Sequence, residues 1–568
     1  MKTLKSYSKM MAIVWTIALA FLPSCDENAF LEEKPLSIYA AENSLVTLQD
    51  FQMAVNQAHY YVRVMLFSMN NDARMGLWGP GTDFAFVACD VNKLNTWKAT
   101  IVPNSVQTET VWQYLYVIVN QSNLILTRIK NADIAEADKN KLRGQALFLR
   151  AYGYRILANL YGGVPLILEE ITAPRRDFVR ASREETYTQA KNDLIEAVSI
   201  LPDIESVRDG EIAKQAAQHL LSEIYISLGE YTNAIAAASA VINYPACKLM
   251  KTRFGSKIDQ RGDVCSDLHR QNNQNRISAG NTEALWVSQY EYKGVGPGST
   301  EFNYFNPYYS GLTITVDGVT TTAFVGNTAE KGGRSTGWSQ PTNYFFDEIW
   351  EEGDLRNADY IIVRDVQIDN PQSPAFGKWL VKDGIAPRIY RNWYPLLMKI
   401  SGDVSTDFYR TDAQGNYMMT AFGEHLINNT NLTFRDSYMF RLAETYLLRA
   451  EAHLGNNDLN AAAADINEIR ARAQAPLINA SQVDIDYILD ERLRELYTEE
   501  LRMCTLCRLG KFVDRVRRYN KTYEGANGEQ LESTGTSVED YHNLWPIPFS
   551  QIDRNVDAVL EQNPGYTN

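Results

Sequence analysis

The stretch LSEIYISLGEYTNA, at residues 221–234, decides the fold of this chain. Its small residues, Gly229, the aromatic Tyr231 and Ala234 fall where a helix–turn–helix repeat places them. The same offsets recur 228 residues later, at Ala450, His453, Asn457, Leu459 and Ala462. Asparagine tolerates the left-handed backbone better than other non-glycine residues, so Asn457 can take the place of Gly229. Both stretches predict two helices joined by a tight turn.

Apolar residues elsewhere repeat with the period of a helix. They step by four and three at Leu142, Ala146, Leu149, Gly153, Ile156 and Leu160, and again at Phe440, Ala443, Leu447, Ala450 and Leu454. The spacing of the helix pairs is that of tetratricopeptide repeats, but the two copies are too far apart for a simple tandem array. We therefore predict a mainly α fold with a tetratricopeptide-like scaffold, interrupted at 246–434 by a loop-rich insertion containing short strands.

The N-terminal residues predict an export signal. Lys2, Lys5 and Lys9 precede an uncharged apolar run that is too short for a stable transmembrane helix. The run ends in LPSC, whose small Ser24 before Cys25 favours cleavage and lipidation of Cys25. Residues 1–24 are thus interpreted as a lipoprotein signal peptide and 25–40 as an acidic, lipid-anchored tether; simple secretion is the alternative.

The net charge of the chain limits the classes of molecule that it can bind. Removing residues 1–24 takes away three lysines and no acidic residue, so the formal net charge falls from −14 to −17. Such a surface repels nucleic acid and anionic lipid.

Five cysteines remain once Cys25 is lipidated, an odd number that cannot be fully paired. The CxxC of Cys504 and Cys507 is interpreted as buried thiols, and a disulfide between Cys247 and Cys265 is left open.

Three motifs carry a resemblance to a known family. They are RAYGY at 150–154 followed by LYGGVPL at 160–166, the helix ERLREL at 491–496 with its continuation to Gly510, and the tail LWPIP at 544–548 with NPGY at 563–566. Together they resemble the SusD/RagB family, although Gln551, Thr505 and Cys507 depart from its usual pattern. The prolines of the tail forbid a helix, so Trp545 and Ile547 are expected to insert into the core.

The resemblance spans nearly the whole mature chain and is weakest at 246–434. It implies an N-terminal helical region at 41–245, a ligand-face insertion at 246–434, and a C-terminal helical region with the tail at 435–568. It also implies an outer-membrane lipoprotein, facing the cell exterior, that binds glycans and delivers them to a SusC-like TonB-dependent transporter. Peptide binding on the same scaffold is the first alternative, and a surface hydrolase is the second.

Ligand contacts are expected where aromatic residues stand beside polar ones in loops, because sugars pack their C–H faces on rings and need fixed hydrogen-bonding partners. Two segments have that composition, one at 70–81 and the other at 303–309 with 332–338. The candidate binding residues are Trp78 with Asn71, Asp72 and Arg74 in the first segment, and Tyr308, Tyr309 and Trp338 in the second. Trp286, in an apolar strand-like run, is expected to be core.

Catalytic patterns are missing from the sequence. It contains no HExxH, GxSxG, P-loop or GxGxxG in the required setting, so we predict no enzyme, no cofactor and no metal. The acidic group around Asp354 could imitate a glycosidase pair, but Arg356 makes an ion pair the better interpretation. Glu499 and Arg502, three residues apart, are likewise expected to pair on one helical face.

Overall fold

A computed structural model describes residues 45–68, 76–88, 94–292, 294, 298–386, 391–401, 404–428, 433–524 and 528–567. The predicted lipidation site Cys25, the candidate binding residues Asn71, Asp72 and Arg74, and the predicted signal peptide and tether lie outside the described residues. The longer helices are α1 Leu48–Arg63, α2 Val106–Arg128, α3 Glu136–Tyr161, α4 Arg183–Ile200, α5 Lys214–Ser227, α6 Tyr231–Ile242, α7 Leu442–Gly455, α8 Leu459–Arg472, α9 Ile485–Leu496, α10 Arg502–Arg508 and α11 Phe512–Tyr519. The fold is mainly α, as predicted. None of the helices in the described ranges has the length and apolar character needed to cross a membrane.

The two predicted turns have the same backbone geometry. Gly229 has φ +73° and Asn457 has φ +58°, both in the left-handed region. In each turn the next N–H closes on the carbonyl five residues earlier, Glu230 to Tyr225 at 2.8 Å and Asp458 to His453 at 2.9 Å. The prediction that asparagine replaces glycine here is confirmed.

The repeated helix pairs are neighbours in space despite their separation in sequence. Helices α1 to α8 pack consecutively, so α6 lies against α7 across the insertion. Ile226 and Ala234 of the first pair form a buried cluster with Leu448 and Ala452 of the second. Gly455 packs directly on the ring of Tyr231, where a Cβ would lie 2.4 Å from a ring carbon. The insertion therefore leaves the scaffold and returns to it without breaking the helical stack.

The insertion has strands and a core of its own. In the described residues the strands are β1 Ala85–Val87, β2 Ala284–Ser288, β3 Thr313–Val316, β4 Val319–Thr322, β5 Ser339–Pro341, β6 Ile362–Val363, β7 Leu396–Leu397, β8 Ser437–Arg441, β9 Tyr523–Glu524 and β10 Gln530–Leu531, of which β2 to β7 lie within the insertion. They pair antiparallel in twos: β1 with β5, β2 with β8, β3 with β4, β6 with β7 and β9 with β10. A separate buried cluster includes Tyr309, Phe324 and Trp393. Short strands and this second core hold the insertion in a defined shape.

The C-terminal tail closes the scaffold. Trp545 and Ile547 are fully buried, as expected for an extended segment that inserts into the core. The backbone N–H of Trp545 donates to the Leu160 carbonyl at 2.7 Å. The side-chain amide of Asn563 donates to the carbonyls of Tyr161 and Trp545. The family-like tail therefore binds the C-terminal end of α3 through the last carbonyls of that helix.

The expected ion pair between Glu499 and Arg502 is wrong. Helix α9 ends at Leu496 and Thr498 has φ +62°, so the two side chains do not share a helical face. Arg502 instead pairs with Asp83 at 2.7 Å and with Glu500, while Glu499 pairs with Arg441 and Lys399. The interpretation of Asp354 is confirmed, because it binds Arg356 at 2.7 Å.

The cysteines are buried free thiols wherever the structure describes them. Cys504 and Cys507 lie inside α10, and burial raises the pKa of Cys504 to about 12. Cys247 and Cys265 are not bonded to each other, and burial raises the pKa values of their thiols to about 11 and about 12. In the described ranges no group of His, Cys, Asp and Glu is placed to hold a metal ion.

Candidate functional site

Trp78 is a core residue, and the expectation that its ring is exposed on a loop is wrong. Residues 76–78 form a helical turn beneath the π-helix Val64–Ser68. The Trp78 side chain is 4% exposed, its indole N–H donates to the Leu66 carbonyl at 2.9 Å, and its ring packs on Phe67.

Tyr309 is likewise buried and serves as an anchor. Its hydroxyl donates to the Gly333 carbonyl at 2.8 Å and accepts from the Thr328 N–H at 3.0 Å. Burial raises the pKa of this hydroxyl well above its usual value. Tyr309 therefore holds the turn at 328–333 against the insertion core, and its ring offers nothing to a ligand in this structure.

Tyr308 reaches the surface and is 36% exposed. The guanidinium of Arg391 lies over its ring at 5.5 Å from the centroid, and the Tyr308 N–H donates to the Arg391 carbonyl at 2.9 Å. The ring also packs against Gly311, where a Cβ would come within 2.2 Å of a ring carbon. These contacts fix the ring in position before any ligand arrives.

Arg391 connects Tyr308 to the segment that carries Trp338. Its Nε donates to the Thr336 carbonyl at 2.8 Å, and its own backbone has φ +59°. Gly337 lies so close that a Cβ there would be 2.3 Å from the Arg391 carbonyl oxygen, and its φ of +60° also favours glycine. The structure thus brings Tyr308, Arg391 and the start of β5 together.

Trp338 is half-buried at the edge of this group. Its ring meets Tyr304 edge to face at 5.4 Å, and its carbonyl accepts from the Ala88 N–H at 2.8 Å. From Ser339 the chain continues as β5, which pairs with β1. We call Tyr308, Arg391 and Trp338 the insertion site.

Sequence reasoning missed Arg391 and a second aromatic surface. Arg391 has no motif, because its role depends on contacts with residues more than 50 positions away. Phe376, Trp379 and Phe422 are about 40% exposed, and the rings of Phe376 and Phe422 stack at 5.4 Å. The segment at 370–380 mixes proline, glycine and rings as the chosen segments do, so the same criterion would have found it.

Two family models match the chain. The model of the SusD family covers residues 272–566, just over half of the chain, and a model described as "Starch-binding associating with outer membrane" covers residues 29–226. The chain belongs to the SusD family. This match confirms the sequence resemblance.

Curated relatives and solved structures of the SusD family align over most of the chain. SusD-like protein P2 of Formosa agariphila is 24% identical over 98% of this chain and 100% of its own. Starch-binding protein SusD of Bacteroides thetaiotaomicron is 25% identical over 82% of this chain and 79% of its own. A laminarin-binding SusD-like protein superposes with a TM-score of 0.65 at 21% identity, covering 91% of this chain and 99% of its own. These structural likenesses establish the fold.

Proposed function

We propose that this SusD-family protein is a cell-surface, lipid-anchored protein that captures oligosaccharides and delivers them to a TonB-dependent outer-membrane transporter. The observation that carries the binding role is the insertion site, where a partly exposed tyrosine is fixed in place by Arg391, whose Nε donates to the Thr336 carbonyl, two residues before the half-buried Trp338. Rings receive the C–H faces of a sugar, while the guanidinium and the phenol can bond its hydroxyls. Such preorganisation reduces the entropy lost on binding.

The names of the relatives support a carbohydrate as the ligand. Besides the starch- and laminarin-binding proteins, surface glycan-binding protein A of Bacteroides thetaiotaomicron, in complex with laminarihexaose, superposes with a TM-score of 0.65 at 17% identity, covering 91% of this chain and 99% of its own. The family-model description names the outer membrane. Lipidation of Cys25 supplies the anchor in this proposal, and the transporter is the partner that the family resemblance implies.

The acidic group that could imitate a glycosidase is committed to structure. Asp354 binds Arg356, and Glu351 binds Arg470 at 2.8 Å. Their pairing favours a binding protein over a hydrolase, and incubation with glycans should release no product over time.

Calorimetry tests the choice of ligand. Residues 26–568 are titrated with neutral plant and microbial glycans, with charged host glycans and with peptides. Heat from one glycan class is the expected result. Heat from peptides alone would replace the glycan with a peptide as the cargo.

Fractionation of cells tests the anchor and the partner. Cys25→Ala should move the protein from the membrane to the soluble fraction. The wild-type protein, extracted in mild detergent, should co-purify with an outer-membrane transporter. Retention of Cys25→Ala in the membrane would contradict lipid anchoring at this residue.

A further inference from the structure

A large cleft lies between α1, the turn at Arg208–Glu211 and the end of β2, and Met439 of β8 also lines it. Its volume is about 960 Å³. Helix α1 contributes Gln52, Asn56, Tyr60 and Arg63, whose spacing of four, four and three places them on one face. None of the residues that line the cleft belongs to the insertion site.

The base of the cleft contains a buried amide that lacks a partner. Gln145 of α3 is 1% exposed and its Oε1 meets His59 Nε2 at 3.3 Å, but its Nε2 has no hydrogen-bond partner. Rotating the amide by half a turn exchanges the two atoms and still leaves one of them unpaired. This nitrogen is itself closed off from solvent, so Gln145 forms the floor of the cleft, and the accessible amides are those of α1.

The carboxylates of the cleft already have hydrogen-bond or ion-pair partners within the protein. Asp209 accepts from the N–H groups of Arg276 and Ile277, each at 3.0 Å, and from that of Ser278. Glu211 pairs with Lys141 and Arg208, each at 2.8 Å. A cationic ligand therefore finds no uncommitted carboxylate among these groups.

The cationic side of the cleft is also engaged. Arg63 donates to the Gln289 carbonyl at 3.0 Å, and its guanidinium lies over the rings of Tyr60 and Tyr290 at about 5.5 Å. The remaining lining is rich in neutral amides beside aromatic and methionine side chains. Amides pair well with hydroxyl groups, which both donate and accept.

We propose that this cleft is a second oligosaccharide-binding site, specific for neutral sugars and separate from the insertion site. Its volume lies at the upper end of the range for small-molecule pockets, which suits an oligosaccharide better than a single sugar. The ligand's hydroxyls bond the accessible amides of α1, and Tyr60 packs against its C–H face. This inference does not depend on binding at the insertion site.

Oxidation of two methionines locates the ligand. Met53 of α1 lines the cleft and is 51% exposed, while Met419 of the insertion is 50% exposed. Residues 26–568 carrying Tyr308→Ala are oxidised with dilute peroxide, with and without laminarihexaose, maltohexaose and other neutral hexasaccharides. We expect one of these sugars to slow oxidation of Met53 and to leave Met419 unchanged. Equal oxidation of Met53 with every sugar, or protection by peptides only, would overturn the proposal.

A blocking variant gives an independent measurement. Asn56 is exposed on α1, so Asn56→Trp fills the cleft without entering the core. In the Tyr308→Ala protein, Asn56→Trp should lower the affinity for the sugar that protects Met53 by about tenfold, which corresponds to about 1.4 kcal/mol. Gln113→Trp, at an exposed position in the middle of α2, is the matched control and should bind normally. If Asn56→Trp binds as tightly as this control, the sugar does not occupy the cleft.

Discussion

The helical scaffold and the insertion site use arginine in opposite ways. In the scaffold, Arg155 holds Glu223 and Arg508 holds Glu451 through paired hydrogen bonds of 2.6 to 2.8 Å, all buried. In the insertion, Arg391 lies over Tyr308 at the surface. Residue type alone therefore does not indicate a binding site. Burial and the commitment of hydrogen-bonding groups separate structural residues from those available to a ligand.

The largest effect should come from the buried charge that joins distant parts of the scaffold. Asp83 is fully buried between Arg502 and Arg515, at 2.7 and 2.9 Å. Asp83→Ala leaves two buried guanidiniums without this partner, and should lower the free energy of unfolding by about 3–5 kcal/mol in chemical denaturation. Asp359→Ala removes an exposed ion pair with Arg261 and should change it by less than about 1 kcal/mol. Equal losses of unfolding free energy would mean that burial does not decide how much an ion pair contributes to stability.

The same carboxylate should make stability depend on pH. Burial alone would raise the pKa of Asp83, but Arg502 and Arg515 outweigh it and lower the pKa to about 2. The folded state thus binds the proton more weakly than the unfolded state, so this stabilisation is complete above about pH 4 and is lost as the pH falls towards 2. Thermal unfolding between pH 5 and pH 2 should show a shallower decline for Asp83→Ala than for the wild type.

Trp78 and Trp379 compare a tryptophan inside the scaffold with one on the insertion. Trp78→Phe removes the donor to the Leu66 carbonyl inside the core and should cost about 1–3 kcal/mol of unfolding free energy. Trp379 is 39% exposed, so Trp379→Phe should change stability by about 0.5 kcal/mol or less. A stable Trp78→Phe protein with weakened glycan binding would restore Trp78 as a ligand contact.

The insertion site should affect binding and leave the fold intact. Tyr308→Ala and Arg391→Ala each remove part of the exposed group, and we expect glycan affinity to fall by about tenfold or more in calorimetry. Arg261 stacks on Tyr360 in the same manner, at 5.2 Å and on an exposed surface, so Arg261→Ala is a matched control that should bind normally. Normal glycan affinity in both Tyr308→Ala and Arg391→Ala would show that the glycan does not bind at the insertion site.

Local sequence signals predicted the scaffold far better than the site. The helical period and the turn at Asn457 depend on neighbouring residues, and the structure confirms both. Ring exposure depends on contacts across the fold, so loop composition placed Trp78 on the surface when Leu66 and Phe67 in fact bury it. Arg391 could not be found at all, because only folding brings it over Tyr308.

The smallest change in unfolding free energy should come from the two repeat turns, where variants of Gly229 and Asn457 distinguish the cost of backbone strain from that of packing. Gly229 has φ +73° with nothing within 4 Å of its Cβ position, so a side chain there meets no neighbour and the cost is conformational alone. Gly229→Ala should lower the unfolding free energy by about 1 kcal/mol, and Gly229→Asn by less, because asparagine tolerates the left-handed region. Asn457 already adopts that region at φ +58°, so Asn457→Ala should lose about as much as Gly229→Ala. Denaturation of the three variants measures this directly. A Gly229→Asn protein weaker than Gly229→Ala would mean that the two turns, though alike in backbone, are not interchangeable.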